Sequence, residues 1–158
     1  MAAPEVIVRP ARPADCNDLA ALAAELRTCL GDPPDALTPE RFRSDGFGST
    51  REFEVVVAHA DGALVGYALF TPAYETAYAA PGLYLSDLYV RPSARRNGIA
   101  RSLVDCVCEI ARQRERRFVW WVCDPENEQA EKFYNALPPT NQKLVRARAL
   151  VLDTPHQR

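Results

Sequence analysis

Four arginines and one glycine stand together where an anion could be held. Arg91, Arg95, Arg96 and Arg101 flank Gly98 in the run R-P-S-A-R-R-N-G-I-A-R. The residues that follow form an amphipathic helix pattern, so the run opens onto a helix N-terminus. The first N–H groups of a helix have no intrahelical partner, and its dipole favours negative charge there. Gly98 lets the backbone come close to a ligand because it has no Cβ, and Ala100 keeps the next turn small. The chemistry this describes is a phosphate or pyrophosphate cradle. It is neither G-x-x-x-x-G-K-[ST] nor G-x-G-x-x-G, both of which are absent. A second group lies downstream: Asn127, Ala130 and Tyr134 are spaced three and four apart and so share one helical face.

The elements that must position these residues can be read from the pattern. L-Y-L-S-D-L-Y-V at 83–90 is a strand of aromatic and aliphatic residues that Pro92 ends. The helix after the cradle is expected to bury Ile99, Leu103, Cys106, Val107 and Ile110. Upstream come a short strand at 6–8, a helix capped by Asp15 with the stripe Leu19, Leu22, Ala23, Leu26 and Leu30, and a stop at Gly31. Thr38-Pro39 opens a second short helix reaching about residue 44, and D-G-F-G at 45–48 reads as a turn. A hairpin over 52–71 turns at Asp61-Gly62. The stretch 72–82 reads as a loop, 117–123 as a central strand apolar on both faces, 124–136 as a helix, 143–152 as a last strand, and the final six residues as a mobile tail. The order β-α-α-β-β-β-α-β-α-β predicts an α+β sandwich, a mixed sheet with helices on both faces.

Composition bounds the function. A chain of 158 residues fits one domain spanning 1–158. A net charge of −2 favours no nucleic-acid partner, and the cluster Arg112, Arg114, Arg116 and Arg117 suits a solvated helix end better than an RNA surface. No apolar run is long enough for a membrane span and no signal peptide is visible, so a cytoplasmic protein is expected. Five cysteines, an odd count without C-x-x-C, read as small hydrophobes and not as disulfides or a metal site. With His59 and His156 the only histidines, a Cys–His enzyme is disfavoured.

Arg95-x-x-Gly98-x-Ala100 after a strand resembles the acetyl-CoA-binding motif [QR]-x-x-G-x-[GA] of the GNAT superfamily of N-acetyltransferases. R-P-A-x-x-A-D-C at 9–16, D-G-F-G at 45–48, L-Y-L-x-D-L-Y-V at 83–90 and N-x-x-A-x-x-F-Y at 127–134 resemble its spermidine/spermine (diamine) branch. The resemblance implies an α+β fold with a mostly antiparallel central sheet. It also implies acetyl-CoA as co-substrate, no metal, and a homodimer. By the same resemblance the backbone of Leu88, Tyr89 and Val90 would pair with the pantetheine arm. Arg95, Arg96, Asn97, Gly98, Ile99, Ala100 and Arg101 would hold the pyrophosphate, and Asn127 and Ala130 would line the other wall. Tyr134 would be the general acid. Its O–H, with an ordinary pKa near ~10, can protonate a leaving thiolate of comparable basicity.

The acceptor side departs from that branch. An amine with a pKa near ~10.4 is only about one-thousandth neutral at pH 7.4, which costs roughly 4 kcal/mol, so something must accept its proton. The branch glutamate in L-Y-L-E-D is Ser86 here, and the branch Tyr-Glu near the end of the first helix is Cys29 and Leu30. Asp87, beside Ser86, reads equally as a structural acceptor, and Glu75, between Tyr74 and Tyr78, as a group that could reach the acceptor. The G-F that follows the last helix in the family is replaced by A-L-P-P. The expected reaction is direct acetyl transfer to a small polyamine-like or amino-acid-like primary amine. The alternatives are a protein lysine acceptor and a non-catalytic acyl-CoA-binding module.

Overall fold

The computed structural model describes residues 5–138 and 140–152. By its contacts the chain divides into two compact units, Met1–Val122 and Cys123–Arg158. The expected tail lies outside the described residues.

The first unit is a five-stranded sheet in the order β1 (Val6–Pro10), β2 (Glu54–Ala60), β3 (Ala63–Glu75), β4 (Ala80–Val90), β5 (Val119–Trp120). The first four strands are antiparallel neighbours, and β5 pairs parallel with β4. Asp61 and Gly62 both have positive φ, 52° and 80°, the type I′ geometry that a two-residue hairpin favours.

Each sheet face carries its own helices. On one face α1 (Cys16–Leu30) and α2 (Pro39–Phe47) cover Val55, Val57, Tyr67, Leu69 and Tyr89 with Leu19, Leu22 and Phe42. Full burial of Leu19 and Leu22 contributes about 2 kcal/mol each. Gly31 ends α1 in the left-handed region, φ 77°, and the Thr38 hydroxyl accepts the Arg41 N–H at the start of α2, both as expected. On the other face α3 (Ile99–Gln113) buries Ile99, Leu103, Val104, Val107 and Ala111. The stripe is rotated from the expected one: Cys106 and Ile110 are only half-buried.

Other expectations change as well. D-G-F-G is the last turn of α2, which runs on to Phe47. Asp15 sits ahead of α1 without capping it. Its carboxylate instead accepts the Arg12 N–H and two bonds from the Arg9 guanidinium, which closes a 3-10 turn at Pro13–Asp15. The expected loop at 72–82 is mostly sheet, because β3 and β4 continue as a hairpin to a turn at 76–79. The apolar run at 117–123 forms only a two-residue strand at the sheet edge, where Trp120 remains 46% exposed. Its apolarity predicts burial on both faces, whereas only Val119 of the pair turns inward.

In the second unit α4 spans Glu128–Asn135, four residues shorter at its start than the sequence indicates. The expected strand at 143–152 is not formed: that stretch has no regular structure, and Leu144, Leu150 and Leu152 are more than 80% exposed.

Candidate active site

β4 carries the centre of the site. It pairs with β3 without a break in register at its C-terminal end, Leu88 with Ala68, Tyr89 with Tyr67 and Val90 with Gly66. The Arg91 N–H donates to the Val65 carbonyl, which fixes the hydrogen-bonding phase. Antiparallel pairs alternate, so Tyr89 bonds toward β3, while the N–H and C=O groups of Leu88 and Val90 point to the opposite edge. β5 pairs with β4 only at Leu83 and Tyr84. Past Tyr84 that edge of β4 therefore has no strand beside it in this unit.

A β-bulge interrupts β4 before this open edge. Leu85 faces Phe70 and Asp87 faces Leu69, which leaves Ser86 without a partner and exposed. The simple alternation expected from the sequence therefore breaks at Ser86.

Asp87 is a structural acceptor in the protein. It takes a 2.9 Å bond from the Tyr67 phenol and a 2.9 Å ion pair from Arg27, which also reaches Asp32 at 3.4 Å. Burial, with the Asp87 carboxylate second, pushes the Tyr67 phenol far up, so it stays a donor. Arg27 is thus committed to ion pairs within the protein. A second network lies alongside: Arg91 forks onto Glu25 at 2.9–3.2 Å, and the Tyr89 phenol donates to the same carboxylate at 3.1 Å. Sequence reasoning missed both networks. Apart from Arg27 with Asp32, their partners lie 20 to 66 positions apart, and no local spacing marks them.

The cradle follows. Gly98 takes φ 73° at the N-cap of α3, and Arg96 is also left-handed at φ 65°. The first ladder bond of the helix runs from Ser102 N–H to Gly98 C=O. The N–H groups of Ile99, Ala100 and Arg101 therefore precede the ladder and lie free of intrahelical partners. A Cβ placed on Gly98 would meet nothing within 4 Å, so there is room at the helix end for a ligand. The exposed Arg96 and Arg101 border it, Arg101 also pairing with Asp105 at 3.1 Å. Arg95 is turned back: its Nε donates to the Val90 carbonyl at 2.8 Å and its guanidinium lies 5.8 Å above the Tyr89 ring. It braces the strand–helix corner. Asn97 donates to the Ala94 carbonyl at 3.3 Å.

In the second unit Asn127 is the N-cap of α4, and its side-chain carbonyl accepts the Ala130 N–H at 3.1 Å. Asn127 and Ala130 are thereby joined by a direct bond. Tyr134, one turn further on, is half-buried, and burial pushes its phenol up to about 12. Glu75 bonds back to the Ala77 N–H in its own hairpin turn, at 2.9 Å. Burial raises the thiols of Cys16, Cys106 and Cys108, and that of Cys123 to about 11, so these cysteines are poor nucleophiles. Among the described residues no three His, Cys, Asp or Glu side chains gather as metal ligands, and no helix is long and apolar enough to cross a membrane.

Known proteins resemble this chain in sequence and in fold. The thialysine N-epsilon-acetyltransferase of Bos taurus is 33% identical over 116 residues, 67% of each chain. That of Mus musculus is 33% identical over 113 residues, 66% of each. A D-amino-acid N-acetyltransferase of Saccharomyces cerevisiae is 28% identical over 84 residues, covering 53% of this chain and 52% of its own. Among solved structures, an aminoglycoside N-acetyltransferase in complex with CoA superposes with a TM-score of 0.77 at 20% identity, covering 94% of this chain and 97% of its own. At that identity the likeness is one of fold. The Acetyltransferase (GNAT) family matches residues 19–137. With an open β4 edge leading to a glycine-opened helix end, and with that match spanning most of the sequence, the chain belongs to the GNAT family and is an N-acetyltransferase.

Proposed function

We propose that the protein transfers the acetyl group of acetyl-CoA directly to a primary amine of a small molecule, within one acetyltransferase domain. The observation that carries this reading is the continuity of Leu88, Tyr89 and Val90 with the cradle at Gly98. The edge-facing N–H and C=O of Leu88 and the N–H of Val90, whose C=O accepts the Arg95 Nε, suit an amide-bearing arm added as an extra strand. Beyond the corner braced by Arg95, the N–H groups of Ile99, Ala100 and Arg101, with Arg96, Asn97 and Gly98, suit a pyrophosphate. Acetyl-CoA supplies an activated thioester. The residues of this chain bind it, hold it along β4 and manage protons. Tyr134, whose raised pKa keeps it protonated at working pH, donates to the leaving thiolate, and Asn127 and Ala130 form the start of the helix that carries it. The names of the relatives, acting on thialysine and on D-amino acids, support a small amine acceptor over a protein lysine.

Ser86 lies at the acceptor end of the bulge, where its hydroxyl can position a water that carries off the amine proton. Asp87 supports that bulge through Arg27 and Tyr67, and Glu75 sits at the hairpin tip beyond it. A homodimer and a cytoplasmic location belong to the same reading. All five cysteines are free, as a reducing compartment favours.

The test is CoA release from acetyl-CoA across spermidine, putrescine, lysine, small aromatic amines and a lysine peptide, with Tyr134→Phe alongside. Turnover with a small amine that falls by about 10²–10⁴-fold in Tyr134→Phe, at nearly unchanged CoA affinity, is expected. Turnover confined to the lysine peptide, or acetyl-CoA binding with no turnover at all, would overturn the reading.

A further inference from the structure

The face of the sheet that α1 covers continues past the helix as an aromatic wall. Tyr67 and Leu69 lie under α1, and alternation along β3 puts Thr71 on the same side. Thr71 pairs with Tyr84, and Tyr84 with Trp120, so these rings share that face. They stack with centroids 4.6 Å apart and planes 29° from parallel. Behind them Tyr78 meets Phe118 edge-on at 5.4 Å, and Phe118 fills the place a side chain on residue 82 would need, its ring 2.4 Å from a Cβ built on Gly82. Trp120 remains 46% exposed although it is stacked. Ser86, also exposed, follows Tyr84 by two residues, and Leu88 lies four residues on, roughly 13 Å along the strand. The wall therefore stands two residues from the bulge, ahead of the open stretch of β4 along which the acyl group would arrive.

The charges around it narrow what can lie there. A primary amine reaches the enzyme as a cation. The bulge offers it a hydroxyl, Asp87 is held by Arg27 and Tyr67, and Glu75 is held by its own turn. No uncommitted carboxylate among these waits for a second ammonium. An exposed indole face beside a phenol ring instead favours a flat apolar body and tolerates one cation.

Resting on the acetyltransferase reading above, we propose that the Tyr84–Trp120 stack is the wall on which the acceptor lies. The acceptor is a primary amine with a single positive charge on an aromatic body, in preference to a diamine. The stack sets specificity through binding.

The experiment pairs turnover with direct binding. Steady-state kinetics are run with 2-phenylethylamine and with 1,3-diaminopropane for the wild type, Trp120→Ala, Trp120→Phe and Tyr84→Leu. Calorimetric titration of each amine is run on CoA-saturated protein, and the fold of each variant is checked by thermal melting. The expected result is a lower KM for 2-phenylethylamine than for the diamine. Trp120→Ala should raise the 2-phenylethylamine KM about tenfold and leave the acetyl-CoA KM in place, with Trp120→Phe retaining most of the affinity. The proposal is overturned if the diamine is preferred, if Trp120→Ala and Tyr84→Leu leave amine KM unchanged, or if amine and acetyl-CoA KM rise together. Trp120-dependent binding of 2-phenylethylamine without turnover by any variant would keep the wall and remove the acetyltransfer reading. Turnover indifferent to Trp120 would do the reverse.

Discussion

At the scale of single residues, Gly98 and Ser86 make the sharpest demands. Gly98 holds φ 73° at the start of α3 with open space where a Cβ would project. Gly98→Val should cost about 1–2 kcal/mol in backbone strain, read by urea unfolding, and should weaken CoA binding at least about tenfold by filling the cradle. A large stability loss with unchanged CoA affinity would show that the space serves folding alone. Ser86 is exposed and unpaired at the bulge, so its side chain can be exchanged without disturbing the ladder. Ser86→Glu should restore attraction for a multiply charged acceptor and raise kcat/KM for spermidine about tenfold, an effect that added salt should erode. On the proposed mechanism Tyr134 leaves the pH profile to the amine. Its pKa is raised to about 12, so it remains a proton donor throughout the range in which amines lose theirs. kcat/KM should therefore rise with pH toward about 10 without a descending limb from Tyr134. A fall beginning near pH 8 in wild type that is absent in a Tyr134→Phe variant retaining measurable activity would contradict that assignment.

At the scale of elements, short strands and turns depend on a few contacts. β5 is two residues long and is held to β4 by its ladder and by Phe118, whose ring occupies the space beside Gly82. Gly82→Ala drives a methyl into that ring and should cost about 1–3 kcal/mol, seen as a lower urea midpoint. Amide exchange should quicken first at residues 118–120. The Arg9–Asp15 pair ties β1 to the turn that starts α1, with Asp15 almost fully buried. The Arg9 hydrogen bond, ahead of the opposing effect of burial, holds the Asp15 carboxyl below its usual value, and Arg114 does the same for Glu54. A carboxyl depressed on folding stabilises the protein above its unfolded pKa and loses that contribution as pH falls through the folded one. Stability should therefore decline below about pH 4. Arg9→Met should flatten that decline while lowering stability at pH 7, and an unchanged acid limb would show that other carboxylates dominate.

At the scale of the whole molecule, legibility followed the range of the interactions. The cradle, Arg95-x-x-Gly98-x-Ala100, could be found because its chemistry is local: a strand end, a left-handed glycine and the first turn of a helix lie within some twenty residues. The Asp61-Gly62 hairpin, the Thr38 cap and the Gly31 stop were legible for the same reason, each set by the torsions or hydrogen bonds of a few neighbours. The sequence by itself thus determined the order of elements through α3, the strand–glycine–helix corner, and the family to which the chain belongs. Only the tertiary structure decided where charge is spent. Arg27 meets Asp87, and Arg91 meets Glu25, across 60 and 66 positions, and these pairs turn apparent substrate anchors into internal supports. It also decided the bulge at Ser86, which depends on the register of two strands and leaves no mark in either alone. The expected strands at 117–123 and 143–152 show the limit most clearly. Hydrophobicity says that a segment can be buried, but a strand exists only where another backbone meets its hydrogen bonds. Among the described residues of these two stretches that happens only at 117–120, where Arg117 and Phe118 bond to Pro81 and Leu83 and the ladder pairs Val119 and Trp120 with β4.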